Sequence, residues 1–444
     1  MLAILFTLIF FPSTNASEVF PYSTRTKSYS GWNSTIQGDV TALGMGGATV
    51  ALPSSISAAQ INPAGFAMVT ASISAQIVSN TINDQHIQTS QNKYDSNQWG
   101  LGVNPSPWGF GILYYSPTTE NGNYQSPTTH QNLDTTISLR EVRFAVAHAY
   151  FENKLSLGMS LGVAKAVREL GPYAYNSIDV DVEVGALYRL QNHLILGASF
   201  IPQNTINASS DVYAQTDMPG FNQAIISPAQ TTLGLGWEPN RFFKAGFSLT
   251  YISSIRNTAL LADQNKVVGD TAVFEPRLGG NYVFAEYKYL KMEYALGTYF
   301  EPSRISGESS RMHGTMGFEV EPWFMNLGFG VDVANDYKNV LIAVSVDIVR
   351  AARVLDIIPK DPVPPYHGFF PPMFVVSADG LPPGITQGEA TSVQPTNLKD
   401  VKNIIMDIPE RIEEKVNAMS KGSSSKAKKK KLKKKIEQKP EDQD

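Results

Sequence analysis

A period-two alternation of apolar and polar residues runs from about residue 71 to residue 350 and constrains the fold more than any other feature of the chain. It is clearest in the segment 177–190, where four aliphatic residues alternate with three acidic residues and a glycine: Ile178, Val180, Val182 and Val184 against Asp179, Asp181, Glu183 and Gly185. Successive side chains of a β-strand point to opposite faces, so the pattern predicts strands with one apolar and one polar face. Such strands fit a soluble β-sandwich or a membrane barrel whose apolar face meets lipid.

The lengths of the strands and of their connections favour the barrel. The alternation divides into fourteen strands, at residues 71–82, 97–104, 107–117, 135–150, 155–170, 177–190, 193–206, 229–239, 242–253, 273–287, 289–303, 311–324, 325–336 and 339–350. Many match the roughly 9–11 residues that a tilted strand needs to cross a bilayer, although moving two or three boundaries would give twelve or sixteen strands. Short links alternate with longer polar links at 83–96, 118–134, 207–228 and 254–272. Outer-membrane barrels have this arrangement, with tight periplasmic turns and large outer loops.

The parity of each predicted strand assigns its residues to the lumen or to the lipid. The inward face carries charges of both signs, at Arg143, Arg168, Asp179, Asp181, Glu183, Lys244, Glu275, Arg277, Lys291, Glu293, Asp332 and Asp347. We expect these charges to pair with each other or with a plug, rather than to catalyse a reaction or select ions. One inward row is small throughout, which predicts that something packs closely on it: Ser156, Gly158, Ser160, Gly162 and Ala164. The outward face carries the aromatic residues of a lipid-facing band: Phe144, Phe200, Trp237, Phe247, Tyr251, Tyr294 and Phe318.

Composition excludes several kinds of functional site. The chain has no cysteine, which removes disulfides, thiolate metal sites and cysteine nucleophiles. Its six histidines lack the spacing of metal ligands, so we predict no metal and no cofactor. A hydrolase embedded in the membrane would need a serine beside a histidine on the outer wall, and the positions of His148 and His193 near strand ends do not establish such a pair. We therefore expect no enzyme activity.

The two ends of the chain differ from the barrel. Residues 1–16 are an apolar run followed by small polar residues, which predicts a cleaved signal peptide, with a buried N-terminal helix as the alternative. Residues 351–396 are rich in proline and predict a stiff linker. Residues 397–444 predict an amphipathic helix and then a lysine-rich tail. An even number of strands places this tail in the periplasm, either solvated or bound to acidic lipid, cell-wall polymer or a protein partner. The export signal argues against a nucleic-acid partner.

A glycine-rich motif lies between the signal peptide and the first strand. It consists of ALGMGGA at residues 42–48 and QINPAG at residues 60–65. Glycines allow the backbone to pass close to other elements, and the Asn-Pro pair favours a turn. The candidate residues of the motif are Gly44, Gly46, Gly47, Asn62, Pro63, Ala64 and Gly65.

This pattern resembles the N-terminal hatch of the FadL family, outer-membrane transporters for long-chain fatty acids and other hydrophobic compounds. The resemblance implies an all-β transmembrane antiparallel barrel at residues 69–350, with residues 17–68 folded into its lumen as a hatch or plug. It also implies that a hydrophobic ligand binds between hatch and wall, and then leaves sideways into the membrane. The substrate itself does not follow from the motif.

The family also includes PorV-like members, which are accessories in protein secretion or surface attachment. A non-transporting accessory barrel, which docks a partner protein through its tail or its loops, is therefore the alternative function. An apolar pocket in the lumen would favour transport, whereas a lumen filled by charged pairs would favour the accessory role.

Overall fold

The computed structural model describes residues 38–53, 55–68, 73–84, 93–125, 130–151, 153–170, 173–191, 193–206, 225–254, 272–287, 290–302, 310–354 and 374–375. The predicted signal peptide, the first part of the predicted hatch, most of the proline-rich linker and the whole of the predicted helix and lysine-rich tail lie outside these residues.

Strands make up most of the described chain. In chain order they are β1 (Ile73–Asp84), β2 (Lys93–Val103), β3 (Trp108–Gln125), β4 (Asn132–Tyr150), β5 (Leu155–Leu170), β6 (Tyr173–Gln191), β7 (Leu194–Ile201), β8 (Asn204–Ile206), β9 (Ile225–Ser227), β10 (Gln230–Asn240), β11 (Phe243–Ile252), β12 (Val273–Tyr287), β13 (Leu290–Glu301), β14 (Arg311–Pro322), β15 (Met325–Ala334), β16 (Tyr337–Asp347) and β17 (Phe374–Val375). The helices are α1 (Val40–Gly44), α2 (Ala58–Ile61), a 3-10 helix (Pro63–Ala67) and α3 (Ile348–Val354). No helix in this part of the chain is long and apolar enough to cross a membrane.

Fourteen of these strands, β1–β7 and β10–β16, form one closed antiparallel barrel. The barrel closes where β1 pairs with β16, from Ser74↔Asp347 to Asp84↔Tyr337. β8 and β9 form a separate hairpin, and β17 adds a short parallel pairing to β12. The predicted antiparallel β-barrel of fourteen strands is therefore confirmed.

The links at the two ends of the barrel differ in length. One end, called here the short-turn end, has only tight connections, at residues 104–107, 151–154, 192–193, 241–242, 288–289 and 323–324. The other end, called the long-link end, has connections at 85–92, 126–131, 171–172, 202–229, 253–272, 302–310 and 335–336, two of which are also tight. Asn240 shows how the sequence makes a short turn, because its side-chain oxygen accepts hydrogen bonds from the backbone N–H groups of Phe242 (2.8 Å) and Phe243 (3.0 Å).

Several predicted strand boundaries are wrong. The predicted link 118–134 is largely strand, because β3 and β4 pair from Thr118↔Leu139 to Gln125↔Asn132. Polar residues do not alternate with apolar ones there, so the period-two pattern stops before the ladder does. The predicted strand 193–206 ends early, at Ile201, because Pro202 has no N–H to donate to a ladder.

The predicted assignment of faces is confirmed wherever side chains are described. Glu183, Glu275 and Asp332 are fully buried on the inward face. The seven predicted outward aromatic residues are all 37–52 % exposed. They share this face with many aliphatic residues, among them Ile178, Leu233, Leu296 and Ile342. An apolar exterior around a closed barrel fits a location in the outer membrane.

Candidate functional site: an inner segment between two ionic clusters

Residues 38–53 and 55–68, called here the inner segment, pack against the inward face of the barrel. The first helix of this segment, α1, has a polar start, because the Asp39 carboxylate accepts a hydrogen bond from the N–H of Ala42 (2.9 Å). It ends at Gly44, and Gly46 and Gly47, just after the C-cap residue Met45, have φ angles of +65° and +76°. Glycine adopts such angles at no steric cost, so these two predicted residues let the chain turn out of the helix.

Asn62 connects three parts of the structure. Its side chain is fully buried and caps the 3-10 helix, with Oδ1 accepting from the N–H of Ala64 (3.2 Å). Its Nδ2 donates to the carbonyl oxygen of Val50 (2.8 Å), in the middle of the inner segment, and to that of Ala186 (3.2 Å) on β6. One amide therefore stabilises the turn, the fold of the segment and its contact with the wall.

The remaining residues of the predicted motif complete this turn. Pro63 begins the 3-10 helix, where the missing N–H of proline costs nothing. Ala64 is buried, and its carbonyl oxygen accepts a hydrogen bond from Ser156 Oγ on β5 (2.6 Å). A side chain at Gly65 would place Cβ 2.5 Å from Pro53 Cβ. The structure thus brings all seven predicted residues into one inner segment.

A wall of strand glycines receives the inner segment, and sequence reasoning found only a small part of it. A Cβ atom at Gly317 would lie 2.5 Å from the carbonyl oxygen of Val40, and one at Gly197 would lie 2.5 Å from that of Val50. The same close approach to the inner segment recurs around the barrel, at Gly100, Gly102, Gly109, Gly111, Gly158, Gly185, Gly234, Gly236, Gly246, Gly279, Gly297, Gly328 and Gly330. The sequence signal that could have revealed this wall is glycine at alternate positions of strands whose other positions are large and apolar.

One ionic cluster, called here the arginine cluster, lies on β4 and β6. Arg143 Nε contacts Glu141 (2.6 Å), Nη1 contacts Glu183 (2.6 Å), and Nη2 pairs with Asp181. Gly162 on β5 lies between Arg143 and Asp181 in the ladder, and a Cβ there would meet the Glu141 carboxylate. The predicted row of small residues therefore makes room both for the inner segment and for these ion pairs.

The second cluster, called the histidine cluster, lies on β13, β14 and β15. The two ring nitrogens of His313 contact Asp332 (2.8 Å) and Glu301 (3.0 Å). Arg311 also binds Glu301, at 2.8 Å, and the hydroxyl of Tyr299 donates to Asp332 at 2.8 Å. The Tyr299 ring stacks on His313, with 4.1 Å between the centroids. All five residues are buried.

The two clusters lie on opposite walls of the barrel, because β4 and β13 are seven positions apart in the closed order of fourteen strands. The 3-10 helix contacts β4, β5 and β6, whereas α1 contacts β13, β14 and β15. Both clusters lie on the long-link side of the wall glycines, as Glu301 lies beyond Gly297. Other inward charged residues lie on the short-turn side of these glycines: Lys244, Lys291, Glu293 and Glu319. The described lumen therefore has an inner segment covered by charged side chains. As expected, these charges pair with each other.

The described lumen offers little chemistry of other kinds. No group of three or more histidine, aspartate or glutamate side chains among the described residues has the geometry to hold a metal ion. Residues 158–162 read GMSLG, which matches the G-x-S-x-G pattern. They lie inside β5, however, and not in the strand-to-helix turn of a nucleophile elbow. Ser160 also faces inward whereas His148 faces outward.

One small cavity separates the inner segment from the wall. It is lined by Ser55, Ile56, Phe66, Ser74, Gly102, Val103 and Asn104, and its empty volume is about 210 Å³, including the part open to solvent. Pockets for small molecules usually measure about 300–1,000 Å³. A ligand of that size would need the inner segment to move away from this part of the wall.

The fold resembles that of several solved transporters and channels. Over 71 % of this chain and 99 % of the other, it superposes on the toluene transporter TodX of Pseudomonas putida with a TM-score of 0.50 at 12 % identity. The CymD monoaromatic hydrocarbon channel (TM-score 0.49, 12 % identity, 70 % and 96 % covered) and a Pseudomonas aeruginosa FadL homologue (0.48, 12 %, 71 % and 100 %) are also similar. The sequence matches no protein-family model and no curated protein. At this identity the likeness concerns the fold alone, so the resemblance to the FadL family that the sequence motif indicated is confirmed for the barrel fold.

Proposed function

We propose that this chain is an outer-membrane channel for passive uptake of hydrophobic small molecules, with long-chain fatty acids and neutral hydrocarbons as the candidate classes. One observation carries the proposal: the inner segment and the two charged clusters occupy the lumen of a barrel whose exterior is apolar. An apolar solute gains free energy by leaving water, but loses it on meeting buried charges. Its favourable route therefore turns through the wall into the membrane. The fold shared with a toluene transporter supports this choice.

In this proposal residues 17–68 act as the hatch, the short-turn end faces the periplasm and the tail after residue 354 begins on the periplasmic side. Ligand enters from the long-link end and binds where the inner segment meets the wall. A modest displacement of the segment enlarges the space there, and the ligand leaves laterally. No covalent step is required, because the ligand moves down its gradient into an apolar phase.

The test is to purify the protein from outer membranes in mild detergent and to identify bound apolar compounds by mass spectrometry. An unrelated barrel purified in parallel gives the background. We expect enrichment of fatty acids or hydrocarbons, and loss of this enrichment when Asn62 and Pro63 are both replaced by alanine. Equal amounts of bound apolar compounds in this protein and in the control barrel would contradict the uptake proposal.

A second candidate is a non-transporting accessory barrel, and the filling of the lumen favours it. Arg143 and His313 are each buried among carboxylates, and the cavity beside the inner segment is small. If the protein only supports a partner, we expect no enrichment of apolar compounds. A specific protein should instead copurify with the full chain and be lost when residues 351–444 are deleted.

A further inference from the structure

Two positively charged side chains stand directly opposite each other on the exterior of the barrel. Arg140 on β4 is in register with Lys165 on β5, and both side chains are exposed on the outward face. Opposite positions on neighbouring strands hold their Cβ atoms about 4.5–5.5 Å apart, so the two like charges repel each other. Within the described part of the chain, neither side chain forms an ion pair with a carboxylate. Arg140 and Lys165 are called here the cation pair.

The surface between the cation pair and the short-turn end is apolar and ends in aromatic residues. The outward positions of β4 and β5 in this direction pair as Val142↔Val163, Phe144↔Leu161 and Val146↔Met159. They are followed by a cluster of Trp108, His148 and Tyr150, in which the His148 ring lies 4.4 Å from each of the other two ring centroids. Barrels in the outer membrane carry such aromatic residues where the apolar band meets a membrane interface.

The distance from this aromatic cluster to the cation pair equals one apolar band. Ten residues along β4 separate Tyr150 from Arg140. With a rise of about 3.4 Å per residue and a strand tilt of about 40°, they span a height of roughly 26 Å. The lipid-facing band of an outer-membrane barrel is about 25 Å tall. The cation pair therefore lies at the opposite membrane interface, where lipid headgroups begin.

Beyond the cation pair the outward face includes exposed polar residues. Glu169 on β5 and Asn176 on β6 lie there. Glu169 is four residues from Lys165, about 13 Å along the strand, and therefore does not neutralise it. Ile178 on β6 lies directly opposite Lys165 and is 69 % exposed. The cation pair thus stands where the polar part of the exterior meets the apolar part.

A phosphate group between the two side chains would offset their repulsion. The guanidinium of arginine matches two phosphate oxygens at once, and the ammonium of lysine adds a compact positive charge. A free phosphate ion would use only these charges. A lipid with a phosphorylated headgroup would also use the aliphatic surface of Val163 and Leu161, on which its acyl chains can lie.

We propose that Arg140 and Lys165 bind a phosphorylated headgroup of the lipid A type in the outer leaflet of the outer membrane. With the short-turn end toward the periplasm, as proposed above, the cation pair faces that leaflet. The site is on the outside of the barrel, so it does not depend on any solute that passes through the lumen. A lipid bound there also stabilises the folded barrel, because it binds the folded state alone.

The test is a lipid titration of the full-length protein in a mild detergent, followed by native mass spectrometry. The probes are lipid A with both phosphates and the same lipid after removal of its phosphates. We expect the wild type to bind the phosphorylated form more tightly. The double variant Arg140→Gln and Lys165→Gln should bind it roughly tenfold to hundredfold more weakly, and should no longer distinguish the two forms. Folding is checked by heat-dependent electrophoretic mobility.

Lys338→Gln is the matched control. Lys338 on β16 is also exposed and outward, but its cross-strand partners Asn83 and Val333 carry no charge. Lys165→Gln alone should weaken binding, whereas Lys338→Gln should not. Equal loss in the two variants would show attraction by overall charge without a site, and would overturn the proposal.

Two further results would also overturn it. One is unchanged affinity for phosphorylated lipid A in the double variant. The other is displacement of the lipid from the wild type by inorganic phosphate, because a free anion would then be the ligand. Solute uptake is not measured in this titration, so either result leaves the proposed channel function standing.

Discussion

Replacing Asn62 with alanine should release the inner segment from the wall while the barrel stays folded. The substitution removes the acceptor for the Ala64 N–H and the donor to the carbonyl oxygens of Val50 and Ala186. A buried polar group left without a partner costs about 1–3 kcal/mol. If two of the three groups remain unsatisfied, the docked state loses about 2–6 kcal/mol, which corresponds to roughly 30-fold to 10⁴-fold more of the undocked state.

Amide hydrogen exchange measures this equilibrium directly. Gly65 and Met68 are suitable reporters, because their N–H groups donate within the turn, to the carbonyl oxygens of Asn62 and Gly65 at 2.9 Å each. Exchange at these amides should accelerate by the factor given above, whereas amides of the paired β-strands should not change. Opening of the lumen should also appear as a rise in ion conductance across a planar bilayer.

Asn97→Ala provides the matched control. Asn97 also accepts a side-chain hydrogen bond, from Ser79 Oγ at 2.7 Å, but it is exposed and lies on the outward face. Water replaces such a bond, so exchange in the turn should not respond. If Asn62→Ala changes exchange at Gly65 and Met68 no more than Asn97→Ala does, the capping amide does not hold the inner segment and the reasoning is wrong.

Three further substitutions test the wall. Gly317→Val should block docking of α1 and raise conductance, whereas Gly314→Val, on the same strand with nothing within 4 Å of its Cβ position, should not. Arg143→Met removes the guanidinium that Glu141, Asp181 and Glu183 share, and should destabilise the barrel by about 3–5 kcal/mol in urea titrations. Arg140→Met, at an exposed position on the same strand, should have little effect. Leu296→Arg places a charge on the lipid-facing side of β13, and at mid-depth in the bilayer it should lower the free energy of unfolding by about 2–4 kcal/mol. A refolding titration in lipid that showed no such loss would contradict the assignment of Leu296 to the outward face.

The barrel could be predicted from the sequence because each strand alternates faces whatever its neighbours are. Ile178, Val180 and Val184 could be placed on the outward face without knowledge of β5 or β7. The boundaries were less predictable, since the ladder between β3 and β4 continues into polar sequence that carries no alternation. The sequence around Asn62 predicted a turn. It could not predict the hydrogen bond from the Asn62 side chain to Ala186, because the two residues are 124 positions apart in the chain.

The ionic clusters show the same limit. Parity placed Arg143, Asp181, Glu183 and Asp332 in the lumen, as the structure finds. The pairing of each carboxylate with a particular cation depends on the register between strands. The period-two pattern of a single strand does not specify that register. His313 was treated only as one of six scattered histidines, because Glu301 and Asp332 come next to it only through β13 and β15.

Most of the contacts that hold the inner segment do not involve the charges of the lumen. Asp39 is the only charged residue between positions 38 and 68, and its carboxylate is used within α1 to cap Ala42. The ion pairs join wall to wall, as in the contact of Arg143 with Glu183. The inner segment is held mainly by close packing on glycines and by hydrogen bonds such as the one from Thr315 to the carbonyl oxygen of Gly44 (2.8 Å). One of its hydrogen bonds, from the Thr41 hydroxyl, is accepted by the wall carboxylate of Glu319 (3.3 Å). Salt leaves packing and hydrogen bonds between uncharged groups almost unaffected, and it screens exposed charges more than buried ones. Raising the salt concentration from about 0.1 M to about 1 M shortens the Debye length from about 10 Å to about 3 Å, and should therefore leave hydrogen exchange at Gly65 and Met68 unchanged. Faster exchange at high salt would mean that charges on the wall hold the inner segment after all.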